Sequence, residues 1–138
     1  MTANSVLQLR VVVEAEDYER AVAFYRDTLG LPEEESFSGD GGAQVTILDA
    51  GRATLEIANP AQRRMIDEVE TDGHTAPHIR IAFEVTDAAG VTTRLEDAGA
   101  TLIASPRETP WRSLNARLAA PAGLEITVFE ELDQPASS

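Results

Sequence analysis

The feature that most constrains this chain is an internal repeat. An alternating apolar run, Leu9-Arg10-Val11-Val12-Val13-Glu14, leads to Asp17 and a helical stretch that ends at Gly30. A second, Ile79-Arg80-Ile81-Ala82-Phe83-Glu84-Val85, leads to Asp87 and a helical stretch that ends at Gly99. Arg10 and Arg80 stand 70 residues apart, as do Asp17 and Asp87, while Gly30 and Gly99 stand 69 apart. A strand residue, a helix cap and a helix stop agree on one offset, which marks a duplicated structural unit. The chain has 138 residues, so both copies must share one domain.

Each copy reads as a strand, a helix and three strands. The opening strand puts Leu9, Val11 and Val13 on one face and Arg10, Val12 and Glu14 on the other. In the second copy Ile79, Ile81, Phe83 and Val85 share a face, opposite His78, Arg80, Ala82 and Glu84. Asp17 and Asp87 are natural N-caps, since a short carboxylate accepts the free N–H groups of a first turn. Helical spacing predicts that Ala21, Val22, Tyr25 and Leu29 are buried in one helix and Val91, Leu95 and Ala98 in the other. Gly30 and Gly99 fall where a left-handed residue stops a helix. Strands are predicted over 33–38, 43–48 and 53–58, then over 100–104, 113–119 and 124–129, with turns at Asp40-Gly41-Gly42, Asp49-Ala50-Gly51 and Pro121-Ala122-Gly123. The expected organisation is one α+β domain over 5–132: half one at 5–59, a linker at 60–77 with a helical piece around 62–69, and half two at 78–132. Residues 133–138 read as a disordered tail.

Composition removes several chemistries. There is no cysteine, hence no disulfide, thiolate nucleophile or zinc–thiolate site. All 11 basic residues are arginine, so there is no lysine for Schiff-base chemistry, and arginine binds anions but shuttles protons poorly. A hydrophobic fraction of 43% is enough for a core and too high for a disordered chain. The net charge of −13 disfavours nucleic acid and anionic membranes as partners; it serves solubility or draws a cationic ligand. No apolar run is long enough to cross a membrane, and Met1–Ser5 lacks the basic-then-apolar order of a signal peptide, so a cytoplasmic location is expected.

The stretch Asp17–Leu31, with its Phe24-Tyr25-Arg26 and Leu29-Gly30-Leu31 pairing, resembles the vicinal oxygen chelate superfamily. That group spans glyoxalase I, extradiol dioxygenases, fosfomycin-resistance enzymes, methylmalonyl-CoA epimerase and bleomycin-binding proteins. The second half matches over 79–99 and 121–129. The resemblance implies two βαβββ modules forming a cupped eight-stranded mixed sheet, and often a homodimer. It also implies where a divalent metal is bound in catalytic members, on four cup-facing strand positions. Those positions fall here on Arg10, Glu56, Arg80 and Thr127. Only Glu56 is a usual ligand; an arginine has no lone pair to offer. No metal or other cofactor is therefore expected. A shifted site from His78, Glu56 and Glu14 is the alternative, with His74 in the connecting loop.

Arg10, Glu56 and Arg80 are expected to converge with a net charge of +1. They form either a structural ion cluster or an anion site in which arginine replaces the metal. Glu56 is the best acid/base candidate: burial raises a carboxyl pKa and nearby arginines lower it. Trp111, which follows Pro110 as in drug-binding members of the superfamily, either stacks on a ligand or packs over the sheet edge. Arg112 is a candidate rim contact, Asn115 and Arg117 candidate cup-lining residues, and Phe37 and Phe129 candidate apolar walls. Glu14 and Glu84 have cup-facing parity near strand ends. Two functions compete: a metal-independent small-molecule binding protein of the drug-resistance type, and a divergent lyase, isomerase or dioxygenase that uses Arg10, Arg80 and Glu56 electrostatically or the shifted metal site.

Overall fold

The computed structural model describes residues 6–132, so the expectations for residues 1–5 and 133–138 lie outside the described residues. Half one contributes β1 (Val6–Glu14), a short helix α1 (Tyr18–Val22), β2 (Glu33–Ser38), β3 (Gln44–Asp49) and β4 (Ala53–Ala58). The linker forms α2 (Pro60–Thr71). Half two contributes β5 (Ile79–Val85), α3 (Ala88–Asp97), β6 (Thr101–Glu108), β7 (Ser113–Ala120) and β8 (Leu124–Glu131). One eight-stranded sheet runs in the order β2-β3-β4-β1-β5-β8-β7-β6. Within each half the first and last strands pair in parallel, β1 with β4 and β5 with β8, and the other pairs are antiparallel.

The two halves meet along β1 and β5, which pair antiparallel with Val11 opposite Ile81. Leu9 opposes Phe83 on one side of that pair and Val13 opposes Ile79 on the other, so the repeat is folded about a local two-fold axis. Alternation then assigns the faces. On the convex face, α1 packs Val22 against Leu48 and Ile57 beside Val13 and Leu55. There α3 packs Ala88 against Ala116, Leu118, Ile126 and Val128, with Val91 and Leu95 alongside. The opposite phase, with Arg10, Val12, Glu56, Arg80, Ala82 and Thr127, faces the concavity.

Both aspartate caps form: Asp17 Oδ1 accepts from the Arg20 N–H at 3.2 Å and Asp87 Oδ1 from the Gly90 N–H at 3.0 Å. Gly30 and Gly99 adopt φ of +93° and +111°. Burial at the helix ends departs from simple periodicity. After Val22 the first helix widens into a π-helix over Ala23–Thr28, whose last bond runs from the Leu29 N–H to the Phe24 carbonyl. The extra residue in that turn rotates Leu29 off the core, leaving it 62% exposed, and Leu31 packs against the cluster instead. Ala98 is likewise exposed, because the chain leaves helical geometry there, and Thr92 is buried on the inner face of α3. The linker helix is longer than its apolar pattern suggests. Asn59 caps it, Oδ1 accepting from the Gln62 N–H at 2.8 Å, and ties the cap to half one, where Oδ1 also accepts from the Gln44 N–H at 3.1 Å and Nδ2 donates to the Gly42 carbonyl at 2.7 Å.

The π-turn makes a direct stability prediction. Ile57→Ala, at a fully buried position, is expected to lower the unfolding free energy by about 2–5 kcal/mol. Leu29→Ala should change it by less than about 0.5 kcal/mol. Urea denaturation of the two variants checks this, and a large loss at Leu29 would restore the regular helix.

Candidate ligand-binding cup

The concave face of the sheet and one side of α2 enclose a cavity of ≈ 450 Å³, ample for a small organic molecule. Both halves of the one chain wall it. The floor comes from Arg10, Val12, Glu56, Arg80, Thr127 and Phe129, the sides from Phe37, Ile47, Asn115 and Trp111, and the cover from Gln62, Met65, Ile66 and Glu70. Trp111 is 45% exposed and lines this space rather than being sealed into the core. Phe37 is also exposed, whereas Phe129 is buried beneath Arg10, whose guanidinium carbon lies 5.0 Å from the ring centroid.

The repeat brings the two arginines together. Arg10 is opposite Ala82 and Arg80 opposite Val12, so they are diagonal neighbours across the two-fold seam, roughly 7–8 Å apart along the backbone. Arg10 donates from Nε to Gln8 Oε1 at 2.6 Å and from Nη1 to Glu56 Oε1 at 3.4 Å. Arg80 is buried, 8% exposed, and donates from Nη1 to Thr127 Oγ1 at 2.6 Å. No ion pair within 4.0 Å joins the Arg80 guanidinium to a carboxylate among the described residues; Glu56 feels its charge across a longer gap, and Glu70 is reached through the Thr127 hydroxyl. Burial pushes the Glu56 carboxyl above its ordinary pKa; Arg80 and then Arg10 oppose that without cancelling it, and Glu70 adds to it. Glu84 is pushed up too, by burial and by Glu131, although it stands outside the cavity wall.

Arg117 belongs to a different arrangement. It is completely buried and does not line the cavity. Nη2 donates to Glu70 at 2.8 Å, and Nη1 donates to Asp67 and to Glu125, each at 3.0 Å. Burial alone would lower its pKa, but the three carboxylates outweigh that and hold it charged. Asn115 does line the cavity, and its amide donates to Glu70 at 2.8 Å while its oxygen accepts from Ser113 at 2.6 Å. Arg112 is not in the wall; it adopts φ of +65° and pairs with Glu108. Sequence reasoning missed Asp67 and Glu70, which bind α2 to the second half. The available signal was Arg117, an arginine at an inward-facing strand position with no assigned partner, beside two carboxylates one helical turn apart in the linker.

The donor set does not suit a divalent metal. Of the four superfamily positions, two are guanidiniums, Thr127 Oγ1 already bonds Arg80 and Glu70, and Glu56 is paired with Arg10. His78 Nδ1 is 4.0 Å from Glu14 and its ring points to the surface, while His74 pairs with Glu125 at 3.1 Å. Among the described residues, no three His, Asp or Glu side chains are grouped as a metal ion requires.

The model of the glyoxalase-like domain family matches residues 10–129, nearly the whole chain. The chain belongs to that family. No curated protein matches the sequence. Its fold is shared with methylmalonyl-CoA epimerase from Mycobacterium tuberculosis at 22% identity and a TM-score of 0.68, covering 100% of this chain and 97% of the other. It is shared with a glyoxalase/bleomycin resistance protein/dioxygenase superfamily member from Vibrio splendidus 12B01 at 11% identity and a TM-score of 0.64, covering 90% and 98%. A Streptomyces coelicolor methylmalonyl-CoA epimerase variant in complex with 2-nitronate-propionyl-CoA gives 18% identity and a TM-score of 0.65, covering 95% and 100%. At these identities the likeness shows the fold alone, while membership rests on the match to the glyoxalase-like domain. No helix among the described residues is long and apolar enough to cross a membrane.

Two measurements follow for this glyoxalase-like chain. Arg117→Met leaves the buried Glu70 without a cationic partner and Asp67 with Arg63 alone, and is expected to cost about 3–5 kcal/mol in chemical denaturation at pH 7. Glu56→Gln should behave oppositely. A carboxyl with a raised folded pKa favours the folded state below its unfolded pKa, and that stability is lost as pH rises through the folded value. The variant's melting temperature should therefore exceed the parent's by a margin that grows between pH 4.5 and pH 8; a margin independent of pH would contradict the shift.

Proposed function

We propose that this chain binds a small organic anion with an apolar or ring-bearing body, held in the cup by Arg80 and Arg10 without a divalent metal. The observation that carries the reading is Arg80. A buried guanidinium facing a ≈ 450 Å³ cavity without a carboxylate at salt-bridge distance is a preorganised fork for a carboxylate or enolate oxygen. Arg10 supports the same oxygen from the symmetry-related position, stiffened by its stacking on Phe129. Trp111, Phe37 and Met65 supply apolar contact for the rest of the molecule. A homodimer and a cytoplasmic location accompany this reading through the superfamily resemblance, while the net charge of −13 argues against nucleic acid as a partner.

Glu56 favours a second reading at the same site, an enzyme. A carboxyl with a raised pKa next to two arginines can take a proton from carbon as an arginine-bound oxygen gains the negative charge. That suits a lyase or isomerase acting beside a carbonyl. Solved methylmalonyl-CoA epimerases of this fold carry methylmalonyl-CoA and 2-nitronate-propionyl-CoA, which makes acyl thioesters a natural first substrate class to try.

The test is a calorimetric and thermal-shift series with matched aromatic carboxylates and amines. Carboxylates such as 1-naphthoate should raise the melting temperature. Arg80→Ala should weaken their binding by roughly 10- to 100-fold, in line with losing a charge-assisted hydrogen bond. Preference for the amines, or unchanged carboxylate affinity in Arg80→Ala and Arg10→Ala, would sink the anion reading. Exchange of the α-hydrogen of an acyl thioester into deuterated water, abolished in Glu56→Gln, would mark the enzyme.

A further inference from the structure

Behind the cup lies a second, much smaller cavity of ≈ 20 Å³, between β1, β4, α2 and the segment entering β5. Val12, Glu56, Gln62, Ile66 and Arg80 border both spaces, so Glu56 sits in the partition between them. The rear space is also bordered by Glu14, Arg63, Asp67 and His78. Its volume suits a single water, and its walls offer several polar groups to hold one. Glu14 opposes Ala58 on β4, which puts its side chain one diagonal step from Glu56 on the same face of the sheet. Glu14 accepts from Arg63 Nε at 3.3 Å and lies 4.0 Å from His78 Nδ1, whose side chain is 74% exposed. Glu56, Glu14 and His78 thus line one small space that lies between the cup floor and the exposed His78 ring.

We propose that Glu56 exchanges its proton with solvent through this rear cavity, by way of one bound water, Glu14 and His78, rather than through the mouth of the cup. The proposal rests on the reading of Glu56 as a proton-carrying group facing a bound ligand. A ligand seated on Arg80 between Phe129, Met65 and Trp111 would shut out front-side water, and acid/base work would then need another exit. In release, the Glu56 O–H bond breaks and the water accepts that proton while passing one of its own to the Glu14 carboxylate. Glu14 hands it to His78 Nδ1 as a proton leaves the other ring nitrogen to bulk; uptake runs in reverse and needs no other reactant. The charges facing Glu56 are Arg10 and Glu14 from β1, Arg80 from β5 and Glu70 from α2, with Arg63 and Asp67 at the rear. Arg80 borders both spaces and Arg63 binds Glu14, but a guanidinium shuttles protons poorly, so the carboxylates and the imidazole carry the route.

A crystal structure should show a water bonded to both Glu56 and Glu14; a water touching neither, or a dry cavity, overturns the proposal. Kinetically, the Glu56 carboxyl band, assigned by its loss in Glu56→Gln, is followed by stopped-flow infrared after a pH jump with the cup saturated by 1-naphthoate. The parent should follow the jump within the mixing time. Ala76→Val, which fills the rear cavity, and Glu14→Gln, which keeps its shape, should each lag by roughly tenfold or more, because exchange then waits on local opening. Equal rates in all three overturn the rear route. Should naphthoate not bind, the anion reading fails on its own, and the same comparison is made with the cup closed by a bulky maleimide on Phe37→Cys. That label is site-specific because the chain has no cysteine.

Discussion

The antiparallel pairing of β1 with β5 is the constraint on which the rest of this structure depends. Each βαβββ half alone would expose one edge of its parallel β1–β4 or β5–β8 pair, leaving backbone donors and acceptors open. Joining the halves at Val11 and Ile81 satisfies both edges at once and yields a single sheet. It also determines the chemistry of the floor. In a two-fold seam, equivalent residues one step from the axis become diagonal neighbours, so a single inward arginine at that position of the repeat becomes an arginine pair. Two like charges this close are tolerable only with countercharge or solvent beside them. Glu56 supplies the first and the cavity the second.

Symmetry stops at the linker. Helix α2 lies over the concavity and is tied to the second half by a buried ion cluster, Arg117 with Glu70, Asp67 and Glu125, and to the first by the half-buried Arg63–Glu14 pair. Such a cluster is poor evidence for net stability, since an apolar replacement of the whole group often does as well. Its value here is positional. Glu70 also reaches Asn115 and Thr127, so one side chain fixes the helix, one wall of the cup and the hydroxyl to which Arg80 donates. The cup therefore has a rigid side at β7–β8 and a more open one at β2, whose residues are exposed throughout.

The architecture was legible because it rests on short-range rules: alternation, caps and stops, repeated at one offset. Asp17, Asp87, Gly30 and Gly99 each take the role their residue type suggests. The places where reading failed depend on long-range partners or on a changed helical period. Leu29 fits a 3.6-residue pattern but sits after a π-turn, which periodicity does not encode. Arg117 has the strand parity of a cup residue, as Asn115 does. Only the path of the linker shows that three carboxylates, one of them 50 positions away, neutralise it before any ligand could. Arg10, Glu56, Arg80 and Trp111 do border one cavity, because strand parity and the repeat fix their direction.

The remaining contest at the floor is between burial and charge at Glu56, and it bears on what the cup can do. Two arginines nearby would ordinarily hold a carboxylate ionised, leaving a passive countercharge. Here Arg10 divides its donors between Gln8 and a long contact to Glu56, and Arg80 spends its short bond on Thr127. Neither grips the carboxylate with two short bonds, so the cost of burying its charge prevails, with Glu70 adding repulsion. Both arginines thereby keep donors that Glu56 does not use, and the glutamate keeps a carboxyl pKa raised by burial. A metal would impose a fixed charge at this point, whereas a carboxyl beside two arginines can adjust its charge by a single proton. The same weakness of the Arg10–Glu56 contact that makes the site a poor structural ion cluster is what the proposed anion would exploit.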